Sequence, residues 1–220
     1  MDTAVGLVET YLRVNGYFTV TEYPVIQAER DGGYRTVTDL DILAVRFPGA
    51  GRAIPKEGAS GKSNWTVWPP DPLLGVDTER TDLIIGEVKE GRAELNPAAR
   101  DPLVLQIALT RFGCCSPKQA PELVEQILRK GQVLADSKHR IRLVAFGSTA
   151  LSEDLSRHAA ISLGHVTNFL RDFIRQHWDV LRNADFKDST FGFLVVLEKA
   201  TKGLEITASP QIEDQSISKS

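Results

Sequence analysis

Apolar positions at the start of the chain recur with the 3.6-residue period of a helix and then switch to the patterns of strands. Val5, Val8 and Leu12 form one stripe, which Leu7 and Tyr11 widen. Thr3 stands where a cap is needed and Asn15-Gly16 ends the segment, which predicts a helix over about 4–15. Tyr17 to Ile26 and Tyr34 to Phe47 are rich in β-branched and aromatic residues, and Asp31-Gly32-Gly33 between them reads as the turn of a hairpin. Residues 48–81 break this pattern with Gly, Pro, Ser and scattered charges; a connection that long reads as an insertion between strands two and three. Asp82 to Glu90, DLIIGEVKE, then suits a largely buried third strand, stopped by Gly91.

Further on, Asp101-Pro102 supply a cap and first-turn proline for LVLQIALTRF, which Gly113 closes, and Pro121 opens a second helical stretch, ELVEQILRKGQVLA. Ile141 to Gly147 is expected as a fourth strand. A helix over about 164–182 would align Val166, Leu170, Phe173, Ile174 and Leu181, and Phe191 to Leu197 reads as a last strand. From about 207 the residues are polar and aperiodic, which predicts a disordered tail over 207–220. The order of elements implies an α/β (α+β) fold, a central mixed sheet flanked by helices, in one domain spanning 1–206 with the 48–81 insertion.

Composition narrows the function classes. At 220 residues, 42% hydrophobic and 25% charged, the chain suits a single globular domain, and no apolar run approaches the roughly 20 residues of a membrane span. The amino terminus has no basic start and no long apolar stretch, so no secretory signal is read and a cytoplasmic location is expected. Cys114 and Cys115 are adjacent, which is not a metal-ligand spacing; buried free thiols are expected. The formal charge of -3 means that any grip on nucleic acid must come from a local basic strip or from a partner. GASGKS at 58–63 lacks the first glycine of a P-loop and the helix that should follow it. His139, His158, His165 and His177 show no ligand spacing and are expected on the surface or on helix faces.

The third strand carries the chemistry. Residues two apart on a strand share a face, so Glu87 and Lys89 project together, as do Asp39 and Asp41 on the strand before. Asp41 opens the apolar run Ile42 to Val45, and pairing of the two strands would bring it beside Glu87. Neighbouring carboxylates in an apolar setting repel unless a cation neutralises them, and oxygen donors of this kind suit Mg²⁺ or Mn²⁺. Such an ion would acidify a water for attack on phosphorus, with Lys89 orienting or deprotonating that water or countering the growing negative charge.

Glu9 on the opening helix, Asp41 in TDLDILAV and Glu87-Val88-Lys89 in IIGEVKEG together resemble the PD-(D/E)xK, or restriction-endonuclease-like, nuclease superfamily. GLVETYLRVNGYFTVTEYPV is similar to the start of its Holliday-junction-resolvase-like and Mrr-like branches. The resemblance covers roughly residues 5–112 and departs from the usual pattern in the long 48–81 insertion. It implies Asp41 and Glu87 as metal ligands, Lys89 as the catalytic lysine, Glu9 as an auxiliary ligand or water-positioning group, Mg²⁺ or Mn²⁺ as cofactor, and DNA as substrate. Gln106 stands where some related nucleases place a site-organising glutamine.

Each residue also has a plainer reading. The site is an ordinary surface ion pair between strands, Glu9 pairs with Arg13, Asp39, which competes with Asp41 as a possible auxiliary ligand, is a turn or rim residue, Asp82 and Glu90 face water, and Gln106 makes buried hydrogen bonds. In the insertion, Arg46, Arg52, Lys56 and Lys62 with Trp65 and Trp68 either contact a nucleic-acid backbone and stack a base, or the tryptophans pin the loop to the body. The leading expectation is a metal-dependent nuclease, acting alone, as a homodimer or inside a larger complex. The alternative is a catalytically inactive binding or assembly subunit of the same fold.

Overall fold

The two β-branched runs pair as a long antiparallel hairpin, β1 (Phe18–Ala28) with β2 (Tyr34–Arg46), and Gly32 at φ 90° makes the turn between them. In the computed structural model, which describes residues 2–51, 53–55, 65–136, 138–150 and 158–208, this hairpin forms one side of a six-stranded mixed sheet. β5 (Asp82–Arg92) lies antiparallel to β2, and β7 (Arg140–Thr149) lies parallel to β5. The far edge of β7 is shared by β6 (Gln132–Leu134), antiparallel, and β8 (Ala159–Ser162), parallel. A separate two-stranded ribbon, β3 (Ala53–Pro55) with β4 (Trp65–Val67), belongs to the insertion. The mixed sheet flanked by helices is the α/β architecture expected from the order of elements.

The chain divides into two compact units, Met1–Leu170 and Arg171–Ser220. The first holds the sheet, and helices bury both of its faces. Leu83 and Ile85 of β5 join Leu43, Leu143 and Ala145 in a core with Val104, Leu105, Ala108 and Leu109 of α2 (Pro102–Phe112) and Val124 and Ile127 of α3 (Ala120–Lys130). On the opposite face lies α1 (Thr3–Val14), whose buried Tyr11 meets Phe146 of β7 edge to face. Its cap is Asp2, one residue before the expected Thr3, because the Asp2 carboxylate accepts from Ala4 N at 2.7 Å. The second helical stretch ends at Lys130, not near Ala135: Gly131 takes φ 72° and sends the chain into β6.

Asp82, expected to face water, is instead fully buried. Its carboxylate accepts from Arg140 Nε and Nη2 at 3.0 and 2.9 Å, from Arg142 Nε and Nη2 at 3.2 and 2.9 Å, and from the Tyr17 hydroxyl. The remaining guanidinium hydrogens reach the insertion, Arg142 Nη1 to Leu74 O at 2.6 Å and Arg140 Nη2 to Gly75 O at 2.7 Å. Burial works against the charge on Arg142, but the adjoining carboxylate and the Tyr17 hydroxyl outweigh it and raise its pKa. Burial likewise pushes the Tyr17 hydroxyl well above its ordinary range.

The insertion is fastened a second time through Asp71, itself buried. Asp71 Oδ2 accepts from Tyr11 Oη at 2.7 Å and lies 2.5 Å from His165 Nε2, while Asp71 N donates to Asn15 Oδ1 at 2.6 Å. Trp68 and Leu74, three residues to either side of Asp71, are buried as well. His165 is thereby a structural partner, a role that its spacing among the histidines did not suggest. Cys114 is buried and Cys115 half-buried, both as free thiols, and burial pushes the Cys114 thiol up to about 12.

α4 (Leu163–Gln176) runs from the first unit into the second, which adds α5 (Trp178–Leu181) and α6 (Ser189–Ala208). Phe191 to Leu197, read as a strand, is therefore helical. Phe191, Leu194, Val195 and Glu198 are buried at helical spacing, and Asp188 Oδ1 caps the start by accepting from Phe191 N at 3.0 Å. Within that unit Glu198 accepts from Arg171 Nε at 2.7 Å and Arg175 Nε at 2.9 Å; burial opposes its charge, but the two arginines win and hold its pKa low. Of the stretch expected as a tail, 207 and 208 belong to α6 and 209–220 lie outside the described residues. No helix among the described residues is long and apolar enough to cross a membrane.

The Asp82 cluster generates a stability prediction. Asp82→Ala strands the buried Arg142 guanidinium and the partly exposed Arg140 and is expected to cost about 3–5 kcal/mol in denaturant unfolding. Because both residues act through one network, Asp82→Ala with Arg142→Ala should cost less than the sum of the single changes.

Candidate active site

β2 and β5 stay paired from Arg46↔Asp82 to Ile42↔Gly86 and part at the next residues, Asp41 and Glu87. Asp41 occupies the fork. Its Oδ2 accepts from Val88 N at 2.7 Å, so a carboxylate substitutes for the strand carbonyl that the ladder no longer offers. Across the hairpin, Asp41 lies opposite Glu22, between the pairs Thr21↔Ile42 and Tyr23↔Leu40. Glu22 has φ 51°, a left-handed conformation unusual for a glutamate within a strand.

Glu87 continues the alternation of Leu83 and Ile85 and so projects on the α2 and α3 face, where it is buried. Lys89, two residues on, reaches back to Glu87 Oε1 at 2.9 Å. The same oxygen accepts a hydrogen bond from Asn96 Nδ2, and Asn96 Oδ1 in turn accepts from Ala99 N at 2.6 Å. Asn96 is brought close because β5 curls over β7 after Lys89: Arg92 pairs with Thr149, and Ala93 N donates to Thr149 O at 2.7 Å. That crossing depends on Gly147, where any Cβ would collide with the backbone of Ala93.

Asp41, Glu87 and Lys89 form one electrostatic group. Burial raises the pKa of Asp41, partly offset by the Val88 N–H and by Lys89. Burial also raises Glu87, and the charge of Asp41 adds to it, against the hydrogen bonds of Lys89 and Asn96. The hydrogen bond to Glu87 raises Lys89, with the charges of Glu87, Asp41 and Glu94 helping, so the amine is held as an ammonium. Both carboxylates are thus incompletely neutralised by the protein. Among the described residues nothing hydrogen-bonds Asp41 Oδ1 or Glu87 Oε2, and neither atom is sealed from solvent.

That donor set fits a small dication. Mg²⁺ and Mn²⁺ are commonly held through one or two carboxylates, with waters and phosphate oxygens completing the shell. Among the described residues no group of three or more His, Cys, Asp and Glu side chains forms a fuller cage.

Other expected site residues stand apart from this group. Glu9 is buried on α1, where Oε1 accepts from Arg13 Nη2 at 2.6 Å and Thr19 Oγ1 at 3.0 Å. Thr19 pairs with Ala44, so Glu9 is held farther along the hairpin than Asp41, and the plainer pairing with Arg13 is the one observed. Asp39 pairs with Pro24 and is exposed. Gln106 is half-buried on α2 and makes no side-chain hydrogen bond among the described residues.

Arg46, expected to contact nucleic acid, is instead buried, donating to Asn15 O at 3.0 Å, to Asp77 O at 3.5 Å and to Ala50 O. Its charge serves the loop after β2. Arg52, Lys56 and Lys62 lie outside the described residues, and Trp65 begins β4. Asn96 is absent from the residues that the sequence singles out. The Asn-Pro step after a strand marks a turn, but nothing local shows that the turn would face Glu87.

Comparison with protein-family models, with curated proteins and with solved structures gives no match.

The raised Glu87 pKa has a measurable consequence. A carboxyl whose folded pKa lies above its unfolded value binds its proton more tightly in the native state. Its contribution to stability is present at low pH and is lost as pH rises through the folded value. In chelator at pH 7, Glu87→Gln is therefore expected to melt at a higher temperature than the unaltered protein. The difference should vanish in acid, where Glu87 is protonated in both states; a lower melting temperature at pH 7 would contradict the electrostatic picture.

Proposed function

We propose that this chain is a metal-dependent nuclease with a restriction-endonuclease-like core, hydrolysing phosphodiester bonds in DNA. The observation that carries the reading is the convergence of Asp41, Glu87 and Lys89 where β2 and β5 part, with one oxygen of each carboxylate left open. Asp41 Oδ1 and Glu87 Oε2 would hold Mg²⁺ or Mn²⁺. When bound, such an ion acidifies a water and neutralises charge gathering on the phosphate.

The chain's own groups do the rest. Val88 N–H and Asn96 fix the planes of the two carboxylates and so aim their free oxygens. Lys89, with its pKa raised, serves as a cation that orients water or phosphate and stabilises developing negative charge, a role better suited to an ammonium than proton abstraction. The resemblance of the sequence around these residues supports DNA as the substrate. With a net charge of -3, substrate affinity would rest on local groups or on a second subunit.

A catalytically inactive binding or assembly subunit is the rival reading, and one observation favours it: Glu9 is committed to Arg13 and Thr19. Plasmid cleavage separates the two. Supercoiled plasmid with Mg²⁺ or Mn²⁺ is expected to be nicked, and Lys89→Ala and Asp41→Asn should each slow nicking roughly 100-fold or more. Glu9→Gln should cleave within a few-fold of the unaltered protein. Cleavage that survives both Lys89→Ala and Asp41→Asn would overturn the proposal; metal binding with poor cleavage by the isolated protein is the outcome expected of a nuclease that works inside a larger complex, and no Mn²⁺ binding would favour the rival.

A further inference from the structure

The carboxylates at the fork share one arrangement: each has one oxygen engaged by the protein and one left open. Asp41 Oδ2 is taken by Val88 N, and Glu87 Oε1 by both Lys89 Nζ and Asn96 Nδ2. The two donors to Glu87 differ in kind. Lys89 sits at the end of a flexible stem and is half-exposed. Asn96 is short, and its other amide atom is tied to the main chain three residues on, through Ala99 N at 2.6 Å.

A side-chain amide bonded at both ends has no freedom to rotate, so Asn96 defines a fixed direction for its hydrogen bond. Ala99 is buried against the α2 core, which fixes that main-chain anchor in turn. A line of rigid contacts therefore runs from the helix core through Ala99 and Asn96 to Glu87 Oε1.

We infer that Asn96 is a positioning residue which reserves Glu87 for single-oxygen ligation, favouring a small, hydrated dication such as Mg²⁺ or Mn²⁺ over Ca²⁺. The inference rests on the metal-dependent reading above. The physical reason is coordination demand. Ca²⁺ takes six to eight oxygens and readily uses a carboxylate through both, whereas Mg²⁺ keeps its waters and accepts one oxygen from each carboxylate. With Oε1 occupied, Glu87 offers Ca²⁺ only half of what it could use. Partners that hold a ligand in place in this manner typically govern metal affinity by about 10- to 100-fold.

Two substitutions separate this role from simple support of the turn. Asn96→Ser keeps an oxygen able to accept from Ala99 N but cannot reach Glu87; Asn96→Ala removes both contacts. Calorimetric titration of the full chain with Mn²⁺ and with Ca²⁺, alongside thermal melts in chelator, supplies the readouts.

Both variants are expected to lose about 10-fold or more in Mn²⁺ affinity and to shift the Mn²⁺ to Ca²⁺ preference toward Ca²⁺. Only Asn96→Ala should also lower the melting temperature. If Asn96→Ser binds both ions as the unaltered protein does, Asn96 is a turn residue only and the inference fails while the nuclease reading stands. If the unaltered protein binds Mn²⁺ no better than Asp41→Asn and Glu87→Gln do, the metal-dependent reading itself fails.

Discussion

Asp82 with Arg140, Arg142 and Tyr17 is the interaction on which the rest of the fold depends. A carboxylate removed from water is tolerable only when its lone pairs are met by donors, and here five hydrogen bonds from three residues meet them. The geometry joins parts of the chain that are remote in sequence. Asp82 opens β5, both arginines belong to β7, Tyr17 precedes β1, and the spare guanidinium hydrogens take the carbonyls of Leu74 and Gly75. One buried anion thus sets the relative position of two neighbouring strands and of the segment that leads into β5.

With the first residues of β5 fixed, the other end of the strand is free to serve a different purpose. The ladder with β2 runs through Ile42↔Gly86 and stops, and the half-buried Asp41 and buried Glu87 fall immediately beyond it. At the Asp82 end every oxygen is answered by a cationic or hydroxyl donor. At the other end Glu87 is buried to a similar degree and Asp41 is half-buried, yet one oxygen of each carboxylate is left without a protein donor and both pKa values rise. The same sheet therefore carries a carboxylate that stabilises the fold and two that oppose it. Uncompensated burial of that sort is a common property of sites that use charge rather than sites that only support structure.

Much of this was legible in the sequence because it depends on local periodicity. The β1 and β2 runs, the apolar start of β5, and α2 between Asp101 and Gly113 follow from alternation, capping and turn chemistry acting over a few residues. Glu87 and Lys89 come together for the same reason, since the pleat alone relates residues two apart. The misreadings concern partners far away in sequence. Nothing near Asp82 announces two arginines about sixty residues later, and nothing near Asp71 announces His165. Phe191 to Leu197 misled because a short apolar run fits either period; only the buried Glu198 between Arg171 and Arg175 extends the stripe to helical length. Arg46 reads as a surface cation until the carbonyls of Asn15, Asp77 and Ala50 are seen to surround it.

The division of donors at Glu87 also bears on what Lys89 does. A lysine intended as a base must be depressed toward neutral pH by burial or by neighbouring cations. Here the groups that bear on Lys89 are Glu87, Asp41 and Glu94, and all of them favour the charged form. Removing positive charge from this group would leave the half-buried Asp41 and the buried Glu87 side by side at the fork with only amide donors to hold them. Lys89 is thus tied to the site first as a counter-ion, and any part it takes in chemistry must be one an ammonium performs. It can donate hydrogen bonds to a water or an anionic oxygen, and its flexible stem can move from Glu87 toward charge that builds elsewhere. Asn96 is what permits such movement, because it keeps Glu87 Oε1 bonded and in place when the lysine swings away.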